Sequence, residues 1–309
     1  MMGKYILAHW CYSGNFGDAL NPYLLEKLSG MKVKYCNSFK PDYKVELWQM
    51  IKTLLHLHRY NFRLLLPPED TRPVVLAIGS ILSRSRQNYL VWGGGYMDAS
   101  EKGLGGKYLA VRGPYSAEKL EAEGYPRCNV YGDPALLLPL VYTPKSTTRY
   151  RIGIIPHLRD YPEVKKEIPE FKVFHLGGKI ETIIDEICGC EFILSTSLHG
   201  VIVAHAYGVP ALWVKWGYIF TDGIKFSDYF ASVDIPIYDG AQFNLNELVH
   251  LSYREIPENI RTLMLPHKPL IEVQRGLLQV APFKVKQNIL MFEIACSFLK
   301  AGDNPNPIY

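Results

Sequence analysis

The sequence predicts an α/β protein built from two parallel-sheet halves. Short apolar runs alternate with amphipathic segments, and most of those runs end in a glycine-rich or polar turn. The pattern pauses at a stretch containing proline and threonine, then begins again. Strands that alternate with helices form parallel sheets covered on both faces. A chain of 309 residues is long enough for two such units of ordinary size.

In the first half, residues 5–10 read as a strand, followed by the turn Ser13-Gly14-Asn15-Phe16-Gly17-Asp18 and a helix reaching about Ser29. Strands over 74–78, 90–92 and 108–111 lead into Gly79-Ser80, Gly93-Gly94-Gly95 and Arg112-Gly113-Pro114. Ser116 is the expected N-cap of the next helix and Gly124 its stop. Residues 142–150 read as a linker. In the second half, 152–155, 173–175, 192–195 and 212–214 read as strands, with helices around 180–187 and 198–207. The expected organisation is two Rossmann-like domains facing a cleft, over residues 1–145 and 146–282. An amphipathic helix and tail follow over 283–309. In such sheets ligands lie beyond the carboxyl ends of the strands, where each of these turns falls.

Hydrophobic residues at 48% and charged residues at 21% indicate a folded chain, not a disordered one. The formal charge of +4 suits an anionic ligand or an acidic surface, and no nucleic-acid-binding motif accompanies it. The six cysteines are scattered without paired CxxC spacing, which argues against zinc and for a reducing, cytoplasmic setting. Cys188-Gly189-Cys190 reads as two small buried residues. No stretch reaches the apolar length of a membrane-spanning helix, and the N-terminal run does not fit a signal peptide. Residues 44–66 combine Trp48 with basic side chains; they fit either a membrane-facing element or an ordinary interdomain helix.

Ser195-Thr196-Ser197-Leu198-His199-Gly200 stands where a strand ends and a helix begins. Free backbone N–H groups and the positive end of the helix dipole make that position suited to phosphate or carboxylate. Ser195 or Ser197 fits equally well as a helix cap. Arg112, at another strand end, can grip an anion bidentately or form a structural ion pair. His157 follows the first strand of the second half, where an imidazole can act as acid or base or simply hold the turn. Asp18 can orient a hydroxyl or cap its helix, and Asp133 reads as a turn residue. Gly93-Gly94-Gly95 permits close backbone approach to a ligand but lacks dinucleotide-binding spacing.

Taken in order, these motifs carry more information than each does alone. Asn15-Phe16-Gly17-Asp18, Gly79-Ser80-Ile81-Leu82, Trp92-Gly93-Gly94-Gly95, Val111-Arg112-Gly113-Pro114 with Ser116, and Gly132-Asp133-Pro134-Ala135 follow one another, then Ile155-Pro156-His157, Ser197-Leu198-His199-Gly200 and Phe226-Ser227-Asp228-Tyr229. The series resembles the polysaccharide pyruvyl transferase family, especially the ketal-pyruvate transferases of exopolysaccharide and capsule assembly. The resemblance implies a fold like the B-type glycosyltransferases, with phosphoenolpyruvate as donor and no metal or other cofactor. By position, Arg112 matches the donor-binding arginine, Leu198 and His199 the phosphate-binding turn, and His157 the histidine after the first strand of the donor domain. Ser195 and Ser197 belong to the same donor side. Asn15, Asp18, Gly94 and Gly95 fall on the acceptor side. The implied acid–base residues are His157 and His199, with Asp18 as a further base. Many members carry arginine where this chain has Ser197, and Lys215 is the expected substitute cation. The implied acceptor is a lipid-linked saccharide at the inner membrane face, with galactose carrying a 4,6-ketal.

Two other readings fit the same turns. A nucleotide-sugar glycosyltransferase would use an acidic residue late in the second half, for which Asp222 is available. A non-catalytic saccharide-binding protein would tolerate the missing arginine.

Overall fold

Strands β1 (Tyr5–His9), β2 (Lys32–Tyr35), β3 (Val74–Leu76), β4 (Tyr89–Trp92) and β5 (Lys107–Ala110) form one sheet in the order β2-β1-β3-β4-β5, every pair parallel. Strands β6 (Tyr150–Ile155), β7 (Lys172–Val173), β8 (Cys190–Ser195) and β9 (Ala211–Trp213) form a second, also fully parallel, in the order β7-β6-β8-β9. The computed structural model describes residues 5–11, 15–36, 72–145, 149–217 and 221–289, with six positions between 47 and 55. The α/β class and the two parallel sheets are as the alternating pattern predicts. β2 was not anticipated: Lys32-Val33-Lys34-Tyr35 is half polar because it lies at the sheet edge, paired only with β1.

Helix α1 (Phe16–Ser29) buries Phe16, Leu20, Leu24 and Leu28 at helical spacing and ends at left-handed Gly30. Helix α2 (Pro114–Ala122) begins at Gly113, with Pro114 in the first turn where its missing N–H costs nothing. Ser116 is therefore inside the helix, not its cap, and its side chain points elsewhere, as described below. In the second half, α3 (Tyr161–Glu167), α4 (Ile180–Cys188), α5 (Leu198–Ala206) and α6 (Ile224–Ser232) surround the sheet. The short helices α7 (Leu245–Leu248) and α8 (Glu258–Arg261) follow.

The last long helix, α9 (Leu270–Gln279), crosses back to the first half. The Trp92 indole on β4 donates to the Leu277 carbonyl at 2.8 Å, and Phe283 meets the same indole edge-on. Gln274 donates to the Leu136 carbonyl at 2.8 Å. The final helix of the unit expected over 146–282 thus packs against the first half, and one hydrophobic cluster runs continuously through both sheets. Only the start of the 283–309 segment is described; Lys286 N donates to the Leu28 carbonyl there. Residues 44–66 lie mostly outside the described residues. Within them Leu47, Trp48, Ile51 and Leu55 are exposed. No helix among the described residues is long and apolar enough to cross a membrane.

The described cysteines are free thiols. Burial pushes Cys188 and Cys190 up to about 12, which makes both inert near neutral pH.

His9 and His205 are fully buried, and burial holds each down at about 4. Unfolded, both would take up a proton near the ordinary value of 6.5. Between these limits the unfolded chain binds more protons, so stability falls as pH drops from 6.5 toward 4. Thermal melts should show the loss beginning above pH 5, before ordinary carboxylates titrate, and His205→Gln should flatten that part of the curve.

Candidate functional site

Each sheet has a point where neighbouring strands send their connections to opposite sides. In the first it lies between β1 and β3, in the second between β6 and β8. Ligands in open parallel sheets bind at such points, because diverging connections leave a crevice there. The two crevices open onto one cleft of about 620 Å³. Cys11, Asn15, Asp18, Gly79 and Ser80 supply the first wall; His157, Leu158, Arg159, Ser197, Leu198 and His199 supply the second.

The first wall is fixed by Asn21, a buried residue that no sequence motif marks. Its amide donates to the Ile78 carbonyl and accepts from the Ile78 N–H, both at 2.9 Å. That pair ties α1 to the chain leaving β3, holding Asn15 and Asp18 beside Gly79 and Ser80. Glu101 adds a carboxylate to the wall, held by Ser83 Oγ at 2.9 Å and Met97 N at 2.8 Å.

In the second wall Ser195 is fully buried and does not reach the cleft. Its hydroxyl accepts from Ser197 N at 3.0 Å and lies 2.8 Å from the Ser197 carbonyl, which shapes the turn into α5. Ser197 is the N-cap residue, but its side chain makes no capping bond and borders the cleft. The His157 N–H donates to Thr196 Oγ1 at 2.7 Å, joining the turns after β6 and β8. Burial, reinforced by the nearby Lys225 charge, pushes His157 below its ordinary value, so it is neutral around pH 7.

His199 sits between the halves. A Cβ on Gly17 would lie 2.2 Å from His199 Nδ1, so only glycine at the start of α1 lets the imidazole in. On the ring's other side, Nε2 lies 3.6 Å from Oδ2 of Asp133. Asp133 is fully buried, and its Oδ1 accepts from Ala135 N at 2.9 Å. Asp133 is thus a turn residue, as expected, whose second oxygen faces the cleft histidine.

Arg112, the position matched to a donor-binding arginine, is held inside the fold. It is fully buried and does not line the cleft. Its Nε lies 3.3 Å from Asp228 Oδ2, one terminal nitrogen donates to Ser80 Oγ at 2.7 Å, and the other donates to the Tyr96 carbonyl at 2.6 Å. Ser116, displaced from its expected capping role, donates to Asp228 through both N–H (3.0 Å) and Oγ (2.6 Å). The Arg-Gly-Pro motif is therefore half of a buried ion pair between the domains, and the Ser-Asp-Tyr motif is the other half. Gly113 permits the approach, since a Cβ there would lie 1.8 Å from the Asp228 carbonyl oxygen.

Gly94 and Gly95, expected on the acceptor side, pack closely against the first half. Side chains there would meet Leu76 and the Arg112 guanidinium respectively, and neither glycine is among the residues lining the cleft. Lys215, the expected substitute cation, pairs with Asp239 at 2.6 Å and is not among the residues lining the cleft. Asp222 is committed, accepting from Ala99 N at 2.8 Å and Ile224 N at 3.0 Å.

Besides Arg84 and Arg159, the cleft is lined by a third cation, Lys225, which sequence reasoning missed. It occupies the first turn of α6, one residue before Phe226, whose ring stacks on Trp213 at 3.9 Å. Tyr229, a turn further on, meets His205 Nδ1 at 3.0 Å. Among the described residues no carboxylate pairs with Lys225. Burial, with the Arg112 charge adding to it, pulls its ammonium down to about 8. The Phe226-Ser227-Asp228-Tyr229 motif was the available signal, since Lys225 directly precedes it.

The family model for polysaccharide pyruvyl transferase matches residues 48–218, more than half the chain. The chain belongs to the polysaccharide pyruvyl transferase family. The matched span contains Ser80, Arg112, Asp133, His157 and His199; Asp18 and the whole of α6 lie beyond it. A curated relative, the uncharacterized protein L143 of Acanthamoeba polyphaga mimivirus, is 29% identical over 170 residues. That alignment takes in 49% of this chain and 57% of the viral protein. Among solved structures, the glycosyltransferase SnogD from Streptomyces nogalater aligns over 96% of this chain and 99% of its own, at 11% identity and a TM-score of 0.36.

An unpaired, desolvated ammonium weakens the fold that contains it. Lys225→Met should therefore leave the melting point of this pyruvyl transferase family member unchanged or raise stability by up to about 2 kcal/mol. The same substitution should abolish any thermal protection by inorganic phosphate. Loss of stability without loss of protection would show that Lys225 serves the fold and not an anion.

Proposed function

We propose that the protein transfers the pyruvyl group of phosphoenolpyruvate onto two hydroxyls of a sugar, forming a cyclic ketal during assembly of a surface polysaccharide. The observation that carries this reading is the Lys225 ammonium, which has no carboxylate partner among the described residues and shares one cleft with His157, His199 and the first turn of α5. Phosphoenolpyruvate is small and multiply anionic. A lysine charge and the N–H groups at a helix start are suited to its phosphate and carboxylate. Ser80, anchored by Arg112, offers a further polar contact on the opposite wall.

The chemistry then needs proton transfers at two kinds of atom. A proton adds to the methylene carbon, which becomes the methyl group of the ketal. A sugar oxygen bonds to the adjacent carbon, the carbon–oxygen bond to phosphate breaks, and a second hydroxyl closes the ring. His157, neutral near pH 7, is suited to accept a hydroxyl proton. His199 carries the proton exchanged with the donor carbon, and Asp18 orients the acceptor hydroxyls from the facing wall. No step calls on a metal or redox cofactor. A hexose presented on a lipid-linked saccharide, with galactose ketalised at its 4- and 6-hydroxyls, is the proposed acceptor. Peripheral contact with the inner membrane face would bring the two together.

The test is phosphate release from phosphoenolpyruvate with lipid-linked galactosyl and glucosyl acceptors, followed by mass spectrometry of the glycan. Acceptor-dependent release and a glycan heavier by one ketal-linked pyruvyl group are expected. His157→Ala and His199→Ala should each lower turnover by about 100- to 10,000-fold. Failure of every acceptor, together with thermal stabilisation by nucleotide sugars but not by phosphoenolpyruvate, would overturn the reading.

A further inference from the structure

We infer that Asp133 is the positioning residue of the site: its buried carboxylate selects the Nε2–H tautomer of His199 and leaves Nδ1 as the nitrogen that exchanges protons with the cleft. The inference rests on the pyruvyl-transfer reading for its kinetic consequence, though not for its structural content.

The carboxylate is fully buried, with one oxygen occupied as the cap of the turn starting at Pro134. Its other oxygen, Oδ2, is shut off from solvent and has no hydrogen-bond partner among the described residues. His199 Nε2 is in the same condition. Two buried polar atoms without partners, 3.6 Å apart and on different elements, are each other's natural partner. An ionised carboxylate only accepts, so a neutral ring must place its proton on Nε2 to satisfy both atoms. The separation is slightly beyond a hydrogen bond, and such contacts between catalytic groups tighten when substrate is in place.

The rest of the ring's surroundings point the same way. Nδ1 packs against the start of α1, where Gly17 leaves room for the ring, between Asn15 and Asp18, which both line the cleft. His199 itself lines the cleft. Asp133 lies behind the ring, absent from the cleft wall, so it acts through His199 and does not touch a ligand. Capping alone explains one carboxylate oxygen; an asparagine or serine would cap that turn as well. The second oxygen, buried and aimed at an imidazole, is what capping leaves unexplained.

Asp133→Asn separates the two roles. The amide oxygen can keep the bond to Ala135 N, while its NH₂ group presents a donor where Nε2–H needs an acceptor. In protein labelled with ¹⁵N-histidine, assigned through His199→Gln, the wild type should show His199 as the Nε2–H tautomer and Asp133→Asn should shift it to Nδ1–H. That readout requires no turnover, so it stands even if phosphoenolpyruvate proves not to be the donor. With phosphoenolpyruvate, kcat should fall roughly 100-fold while KM changes by less than about 3-fold, as loss of acid–base function predicts. Asp133→Glu should recover part of kcat. An unchanged tautomer, or a lowered melting point with kcat preserved, would reduce Asp133 to a turn cap and overturn the inference.

Discussion

The Arg112–Asp228 pair is the constraint on which the rest of the structure depends. Both charges are removed from water, and neither is tolerable alone at that depth. The guanidinium is completed by Ser80 Oγ and the Tyr96 carbonyl, the carboxylate by the Ser116 N–H and hydroxyl. Burial works against the charged form of each partner, and the partner's opposite charge offsets it. Arg112 leaves the first sheet and Asp228 belongs to α6 of the second half, so satisfying the pair sets how the two halves meet. Such a pair contributes more to a unique arrangement than to net stability.

Holding α6 against α2 has consequences along that helix. Phe226 and Tyr229 face the second core, Asp228 faces Arg112, and Lys225 is left at the cleft. A lysine in free solution would choose water; here the helix that carries it is anchored on its other faces. The result is a cation kept partly desolvated, with no counter-ion among the described residues. That arrangement opposes stability, and it strengthens attraction for any anion entering the cleft, because fewer waters screen the charge.

The opposite wall reaches the same precision with neutral groups. Asn21 pairs with the backbone after β3, and Gly17 gives up its side chain so that His199 fits against the start of α1. His157, His199, Asp18 and Lys225 thus line the cleft from strand ends and helix starts, which move little, and not from long loops. The cleft joins two switch points because the buried pair brings the sheets face to face at those ends.

The sequence by itself determined the parallel α/β class, most strands and the turns that carry the site. Those features depend on local patterning: runs of valine, isoleucine and leucine, glycine after strands, and apolar residues at helical spacing. It also singled out His157, His199, Ser197 and Asp18, which do line one cleft. Tertiary structure alone decided which charges face that cleft. Arg112 and Lys215 were as plausible as Lys225 in one dimension, but Asp228 and Asp239 claim the first two, and those partners lie far away along the chain or on another turn. Asp133 looked like a simple turn residue because its sequence neighbours explain only one of its oxygens. The histidine that meets the other comes from the far side of the fold, and no local pattern records a contact made by packing two domains together.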